Sequence, residues 1–252
     1  MTLFFCFLTA IVGVIIGGFL GRASYALPRG EYREILSPKC PSCGKTLSPK
    51  YSIPLVGFFL ARTRCPHCGE RRGRATFIAE IVFGVVCLLL FLVYHFVYLF
   101  FVYAVTAGIL LLLSLIDVDI HEAPHGLLLA LLILGLMTFV FSFFDFSLTG
   151  VNWWEHLVGA FVISLPLFIL MIVTGGVGGG DVKLMFVLGL LLGYRLTLIG
   201  FLIGIVAAAI AAILLHFLCD KGGKYPLPLV PFLSFGAVVS LLCGNAIIAL
   251  LF

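Results

Sequence analysis

Carboxylates stand at two points of the chain where long apolar runs meet short polar stretches. "SLIDVD" closes one run with Asp117 and Asp119, and "GGVGGGDVK" places five glycines and a valine in front of Asp181. Two carboxyl groups a few ångströms apart cannot both ionise readily, so one keeps its proton while the other acts as a base. Such a pair can activate water to attack an amide without a covalent intermediate. These residues therefore raise the hypothesis of acid–base hydrolysis.

Each aspartate also has a simpler interpretation. Asp181 stands where a helix would begin, and a carboxylate there is stabilising by about 0.3 to 1 kcal/mol with no role in chemistry. On a continuing helix Asp117 and Asp119 would point about 200° apart, so they would not both serve one site, and the residues alone do not choose between them. The glycines before Asp181, Gly178 and Gly180 among them, lack a Cβ atom and would let a substrate backbone approach the carboxylate.

Four cysteines form two Cys-x-x-Cys pairs in a basic stretch that follows the first apolar run. "CPSCGK" contains Cys40 and Cys43, and "CPHCGE" contains Cys65 and Cys68, with 21 residues between the pairs. Four thiolates at this spacing suit a tetrahedral zinc ribbon. A disulfide or a redox pair is the alternative, which the reducing cytoplasm disfavours. The stretch is too short to bury a sizeable core, so we expect a structural zinc that stabilises its fold.

The composition is that of a membrane protein. Of the 252 residues, 63% are hydrophobic and only 10% are charged, and the mean hydropathy is +1.27. Apolar runs of about 18 residues or more recur, which is the length that crosses a hydrocarbon core as a helix. We therefore expect an all-α polytopic protein with about eight transmembrane helices and a small cytoplasmic zinc-ribbon-like insertion. The predicted spans are 3–21, 77–94, 97–116, 126–143, 154–174, 182–194, 196–218 and 228–251.

Basic residues orient these spans. Of the 15 lysines and arginines, 11 lie between Arg22 and Arg74, and loops rich in Lys and Arg stay in the cytoplasm. Placing that loop inside brings both aspartate stretches to the same cytoplasmic face. The predicted organisation is a first transmembrane helix (1–21), a cytoplasmic zinc-binding loop domain (22–76) and a membrane core (77–252). We expect contacts with membrane lipids and no nucleic acid partner.

In combination, these motifs resemble the type IV prepilin peptidases, which are bifunctional membrane aspartic peptidases of the GxGD type and N-methyltransferases. The resemblance covers nearly the whole chain, and its motifs occur in the same order. They are "LPRGE", the two cysteine pairs, "YSIPLVGFFL" between them, "AEIVFG", "SLIDVD" and "GGGDVKL".

The resemblance implies an activity and a set of site residues. The two catalytic aspartates of the family fall on Asp117 and Asp181, and Gly178, Gly180 and Lys183 would support the catalytic loop. The family cleaves the leader of prepilins or type II secretion pseudopilins at the cytoplasmic face of the bacterial inner membrane. It then methylates the new N-terminus with S-adenosylmethionine. The resemblance does not indicate which residues of this chain would bind that cofactor.

Two departures from the family pattern bear on the activities. An auxiliary acid after the first catalytic aspartate is replaced by His125, and "GRASYALP" stands where the family has a different run at the end of the first span. The second change bears on methyl transfer more than on cleavage. Glu80 matches a family acid whose role stays open.

Two other functions remain as alternatives to the peptidase. In an ion or proton transporter the aspartates would line a pathway, although such charges normally lie near the bilayer midplane. The other alternative is an inactive family member that serves as a scaffold.

Overall fold

The structure is a computed structural model that describes residues 2–30, 35, 43, 45, 67–69, 75–121, 123–145, 149–219 and 228–251. Within these residues the regular elements are α-helices, so the predicted all-α class is confirmed for this part of the chain. The helices are α1 (Thr2–Arg29), α2 (Ala75–Tyr94), α3 (Tyr98–Ile120), α4 (His125–Phe144), α5 (Trp153–Val162), α6 (Ser164–Thr174), α7 (Gly179–Leu192), α8 (Tyr194–Cys219) and α9 (Val230–Leu251).

Six segments of the described chain are long and apolar enough to cross a membrane. They are Leu3–Arg29, Thr76–Tyr94, Tyr98–Ile120, His125–Phe144, Trp153–Thr174 and Tyr194–Phe217. The protein is therefore a multi-pass membrane protein. Helix α7 has 14 residues, fewer than the roughly 20 that span a bilayer, and Val230–Gly244 is a shorter apolar segment. Six of the eight predicted spans coincide with these segments, and the count of eight stays a prediction.

The helix boundaries differ from the predicted ones at three places. Helix α1 continues to Arg29, past the predicted end at residue 21. The predicted span 154–174 is divided into α5 and α6 at Ile163. Pro166 has no backbone N–H to donate to the carbonyl four residues earlier, which accounts for the interruption there. Helix α7 begins at Gly179, inside the glycine stretch rather than after it.

Residues 1–95 form one compact unit, in which α1 and α2 pack closely through glycines. A Cβ atom on Gly17 would lie 2.6 Å from the Ala79 carbonyl oxygen, and one on Gly21 would lie 2.7 Å from the Cα atom of Thr76. Only a residue without a side chain fits at such distances. Glu80 is buried in the same contact, with 5% of its surface exposed.

Residues 96–252 form the second compact unit, and α7 is its most enclosed helix. Helices α4, α5, α6, α8 and α9 all contact it. Leu184, Leu188 and Leu191 of α7 are almost fully buried. The short helix is therefore held by its neighbours within the protein, and this burial offsets the weak intrinsic helix preference of its glycines.

The carboxyl end of α7 is fixed by a close backbone contact and a histidine. A Cβ atom on Gly189 would lie 2.0 Å from the Gly159 carbonyl oxygen of α5. His156 of α5 is buried, and its Nδ1 lies 2.8 Å from the carbonyl oxygen of Leu190. The chain turns at Gly193, with φ of +76°, so the last carbonyls of α7 need partners from outside the helix. A neutral His156 that donates Nδ1–H supplies one of them.

Candidate active site

Asp117 lies in the last turn of α3 and points into the protein. Only 7% of its surface is exposed, whereas Asp119, two residues later on the same helix, is exposed. Helix α3 continues to Ile120, so the two carboxylates point in nearly opposite directions. The backbone N–H of His121, which has a left-handed φ of +56°, donates to the Asp117 carbonyl and ends the helix.

Asp181 lies in the first turn of α7, on backbone that its preceding glycines shape. Gly178 is the N-cap residue, and a Cβ atom on it would lie 3.2 Å from Oδ2 of Asp181. A Cβ atom on Gly180 would lie 3.3 Å from the Cβ atom of Ala123, in the loop that follows α3. Larger residues at these two positions would crowd the carboxylate and the loop. The glycines therefore set the close approach of this turn to the end of α3.

The backbone of Gly178 also interacts with the Asp181 carboxylate as a donor. This is the geometry of an acid in the first turn that reaches back to the N-cap residue. Asp181 therefore caps the amino end of α7, and it also lies near a second carboxylate.

The two carboxylates are close enough to affect each other. Asp181 lies outside the six membrane spans, and its pKa is raised to about 6. Burial is the largest cause, followed by the negative charge of Asp117, and the Gly178 backbone opposes both. Desolvation and a like charge both disfavour an ionised carboxylate. The structure thus brings together the two aspartates that the resemblance paired.

Asp117 has two further neighbours in this unit. The backbone N–H of Val230, the first residue of α9, interacts with its carboxylate, and His121 lies near it. Its Oδ2 atom is buried and has no hydrogen-bond partner among the described residues. Buried carboxylate oxygens are normally paired, and an unpaired one often belongs to a site that another molecule completes. The Asp117 carboxylate is therefore stabilised by a backbone donor, while its Oδ2 atom is available to interact with another molecule.

Two family models match the chain in series. The model described as the bacterial peptidase A24 N-terminal domain matches residues 11–94, and the model described as the type IV leader peptidase family matches residues 104–213. The chain belongs to the type IV leader peptidase family. The second match contains both Asp117 and Asp181.

Curated relatives of this type IV leader peptidase family member match it over most of its length. A Bacillus subtilis (strain 168) protein is 28% identical over 245 residues, which cover 95% of this chain and 94% of the relative. A Pseudomonas aeruginosa protein is 29% identical, with coverage of 96% and 92%, and a Neisseria gonorrhoeae protein is 28% identical, with coverage of 81% of each. All three are named prepilin leader peptidase/N-methyltransferase. No solved structure matches the chain significantly.

The remaining predicted residues of this family member lie apart from the two aspartates. Lys183 is exposed and lies about 200° around α7 from Asp181, where it lines a groove together with His125. Glu80 lies in the N-terminal unit. That Lys183 supports the catalytic loop therefore stays a prediction. In the structure its neighbours are the residues of the groove.

The predicted zinc ligands of this family member fall mostly outside the described residues. Cys40 and Cys65 are outside them, and Cys43 and Cys68 are described without the other half of each pair. Among the residues that the structure describes, no group of three or more metal-ligating side chains occurs. The zinc site therefore stays a prediction from the cysteine spacing.

Two neighbours of Asp117 are not among the predicted site residues. His121 follows Asp117 by four residues, a spacing that places both on one helix face, but next to His125 it is easily interpreted as solvated surface. The side chain of Val230 could not indicate this contact in the sequence, because the backbone N–H makes it. Pro231 after it is typical of a helix start and is the one local indication of that donor.

Proposed function

We propose that the protein is an aspartic endopeptidase that removes prepilin leaders and then N-methylates the new N-terminus of the product. The family and the names of the relatives support this activity. The observation that carries the assignment of residues is the coupling of Asp117 and Asp181, two buried or half-buried carboxylates from different helices. The transporter alternative has no support among the comparisons, and both aspartates lie at helix ends rather than at mid-span.

The chemistry follows from one proton shared by the pair. The ionised carboxylate takes a proton from water as the water oxygen attacks the scissile carbonyl carbon, and the protonated one donates its proton to the carbonyl oxygen. The tetrahedral intermediate then collapses: one of its hydroxyl groups returns a proton to the ionised carboxylate, the C–N bond breaks, and the departing amine takes a proton from the protonated one. Two carboxylic acids thus cycle one proton, and no bond forms between protein and substrate.

The proposed setting is the bacterial inner membrane, with Asp117, Asp181 and the basic loop at the cytoplasmic face. The distribution of basic residues supports this orientation. Eight crossings, with α7 and α9 included, would place both chain ends outside. Type IV prepilins and type II secretion pseudopilins are the proposed substrates.

We propose that the protein also binds a structural zinc ion and S-adenosylmethionine. Four cysteine thiolates in two Cys-x-x-Cys pairs are a donor set that fits structural zinc, held by Cys40, Cys43, Cys65 and Cys68. S-adenosylmethionine would supply the methyl group when bound. Methylation needs a free amine, so the peptidase step must come first and present that amine.

A leader-cleavage assay on the full chain in lipid nanodiscs tests the assignment. Asp117→Asn and Asp181→Asn should each reduce kcat/KM by at least about a thousandfold, because each removes a group that exchanges a proton in the transition state. Asp119→Asn is the matched control, since it alters a carboxylate on the same turn of α3, and it should cleave normally. Retained cleavage in either of the first two variants would refute the pair. A product heavier by one methyl group tests the second activity.

A further inference from the structure

An apolar groove lies on the side of α7 that faces away from Asp181. It encloses about 510 Å³ and is formed by α4, α5, α6 and α7. Its walls are leucines of α4 and the aromatic rings of Phe161, Phe168 and Phe186. Several of these residues are largely exposed, so the groove opens outward. It opens between helices that are long enough to cross a membrane, so its surroundings are acyl chains rather than water.

The groove has polar groups at one end. His125 is the first residue of α4, and Lys183 is one turn into α7. These ends lie together, because a Cβ atom on Gly180 of α7 would contact Ala123, two residues before His125. None of the described residues that line the groove is acidic. A lysine beside an imidazole at the mouth of an apolar groove is complementary to an anion attached to a hydrocarbon chain.

We propose that this groove binds an anionic phospholipid, with one acyl chain between α4, α6 and α7 and the phosphate at Lys183 and His125. The Lys183 ammonium pairs with the phosphate, and a ring N–H of His125 donates to it. The lining of α4 from His125 to Leu132 extends about 10 Å along the helix axis, which fits the upper part of one acyl chain. Asp181 is close in sequence but faces the opposite side of α7, so its charge is directed away from the phosphate.

A lipid fits the groove better than the apolar segment of a protein substrate does. A substrate helix in this position would have to carry its scissile bond around the amino end of α7 to reach Asp181. The groove is also only about two helical turns deep, which is short for a helix but sufficient for a chain end. The proposal is therefore independent of the peptidase assignment, and it gives Lys183 a ligand of its own.

Lipid binding to the delipidated full-length protein tests the proposal by native mass spectrometry. Phosphatidylglycerol and phosphatidylcholine with identical acyl chains are the two probes. The wild type should bind phosphatidylglycerol about fivefold more tightly, the contribution expected of one lysine near a headgroup of net negative charge. Lys183→Gln should abolish the preference, and Lys183→Arg should keep it because the charge remains.

A second pair of variants tests the apolar part of the site. Leu165→Trp fills the groove and should weaken the binding of both lipids, whereas Leu170→Trp lies on the same helix outside the groove and should not. Equal affinity of the wild type for both lipids, or an unchanged preference in Lys183→Gln, would overturn the proposal. So would displacement of both lipids to the same extent by an uncharged apolar helical peptide, because it would assign the groove to a protein segment. Thermal unfolding of each variant checks that it is folded.

Discussion

At the scale of single residues, the environments of the two aspartates are not equivalent. Asp117 is the more buried and receives a backbone N–H from Val230, while Asp181, in the first turn of α7, is half-buried. The ionised form of Asp181 is stabilised by the Gly178 backbone and destabilised by burial and by the charge of Asp117.

The dependence of cleavage on pH follows from the raised pKa of Asp181. Because the pair must hold one proton, and the pKa of Asp181 is about 6, kcat/KM should fall as pH rises above about 6 and approach a tenfold loss per pH unit. Kinetics of leader removal between pH 5 and 8 measure the profile. Asp119→Asn should follow the same curve. A rate that is flat or rising from pH 6 to 8 would contradict the shared proton.

The same raised pKa predicts a change in stability. A carboxyl group whose pKa is higher in the folded than in the unfolded state contributes stability at low pH, and this contribution is lost as pH rises through the folded pKa. At pH 7 the ionised Asp181 is therefore destabilising. Asp181→Asn should raise the melting temperature at pH 7 and change it less at pH 4. Scanning calorimetry of wild type and variant at both pH values measures the difference, and an equal shift at both would count against the buried charge.

At the scale of elements, α7 determines where Asp181 lies. The helix carries the aspartate at one end, and at the other end it is held by the Gly159–Gly189 backbone contact and by His156. Five other helices contact it. Any displacement of α7 along its axis would move Asp181 relative to Asp117 by the same amount, so residues at the far end of the helix position the site.

Adding a methyl group at Gly189 should loosen this attachment. The Cβ atom of Gly189→Ala would lie 2.0 Å from a backbone oxygen that cannot rotate away, and overpacking of this kind costs about 1–3 kcal/mol. Thermal unfolding in detergent should show the loss. Gly126→Ala is the matched control, since a Cβ atom at Gly126 meets nothing within 4 Å. If both variants unfold like the wild type, the contact does not fix α7.

At the scale of the whole chain, the proposed zinc site of the two cysteine pairs is open to direct measurement. Purified protein should contain about one zinc per chain, and Cys40→Ser or Cys65→Ser should lose it, because each removes one of four thiolate ligands. Cys243→Ser, outside both pairs, should keep the metal. Elemental analysis makes the measurement, and a wild-type protein without zinc would refute the site.

Apolar runs were sufficient to predict the class of the protein and most of its helices, because the bilayer admits few structures other than helices. The interruption at Ile163 was not predicted, since the run around it is apolar throughout and only Pro166 marks it. The pairing of Asp117 with Asp181 needed the resemblance as well, because spacing alone left Asp119 open. Val230 and the His156–Leu190 contact depend on tertiary packing, which no local pattern contains.

The length of α7 has a consequence for the depth of the reaction. Its 14 residues extend about 21 Å, some 9 Å less than the roughly 30 Å of hydrocarbon in a bilayer. In the proposed orientation Asp181 lies at the cytoplasmic boundary, so the carboxyl end of α7 stops about 9 Å short of the opposite one. A peptide bond at the membrane end of an anchored segment would then be cleaved at its own depth, without the free-energy cost of moving that segment out of the lipid.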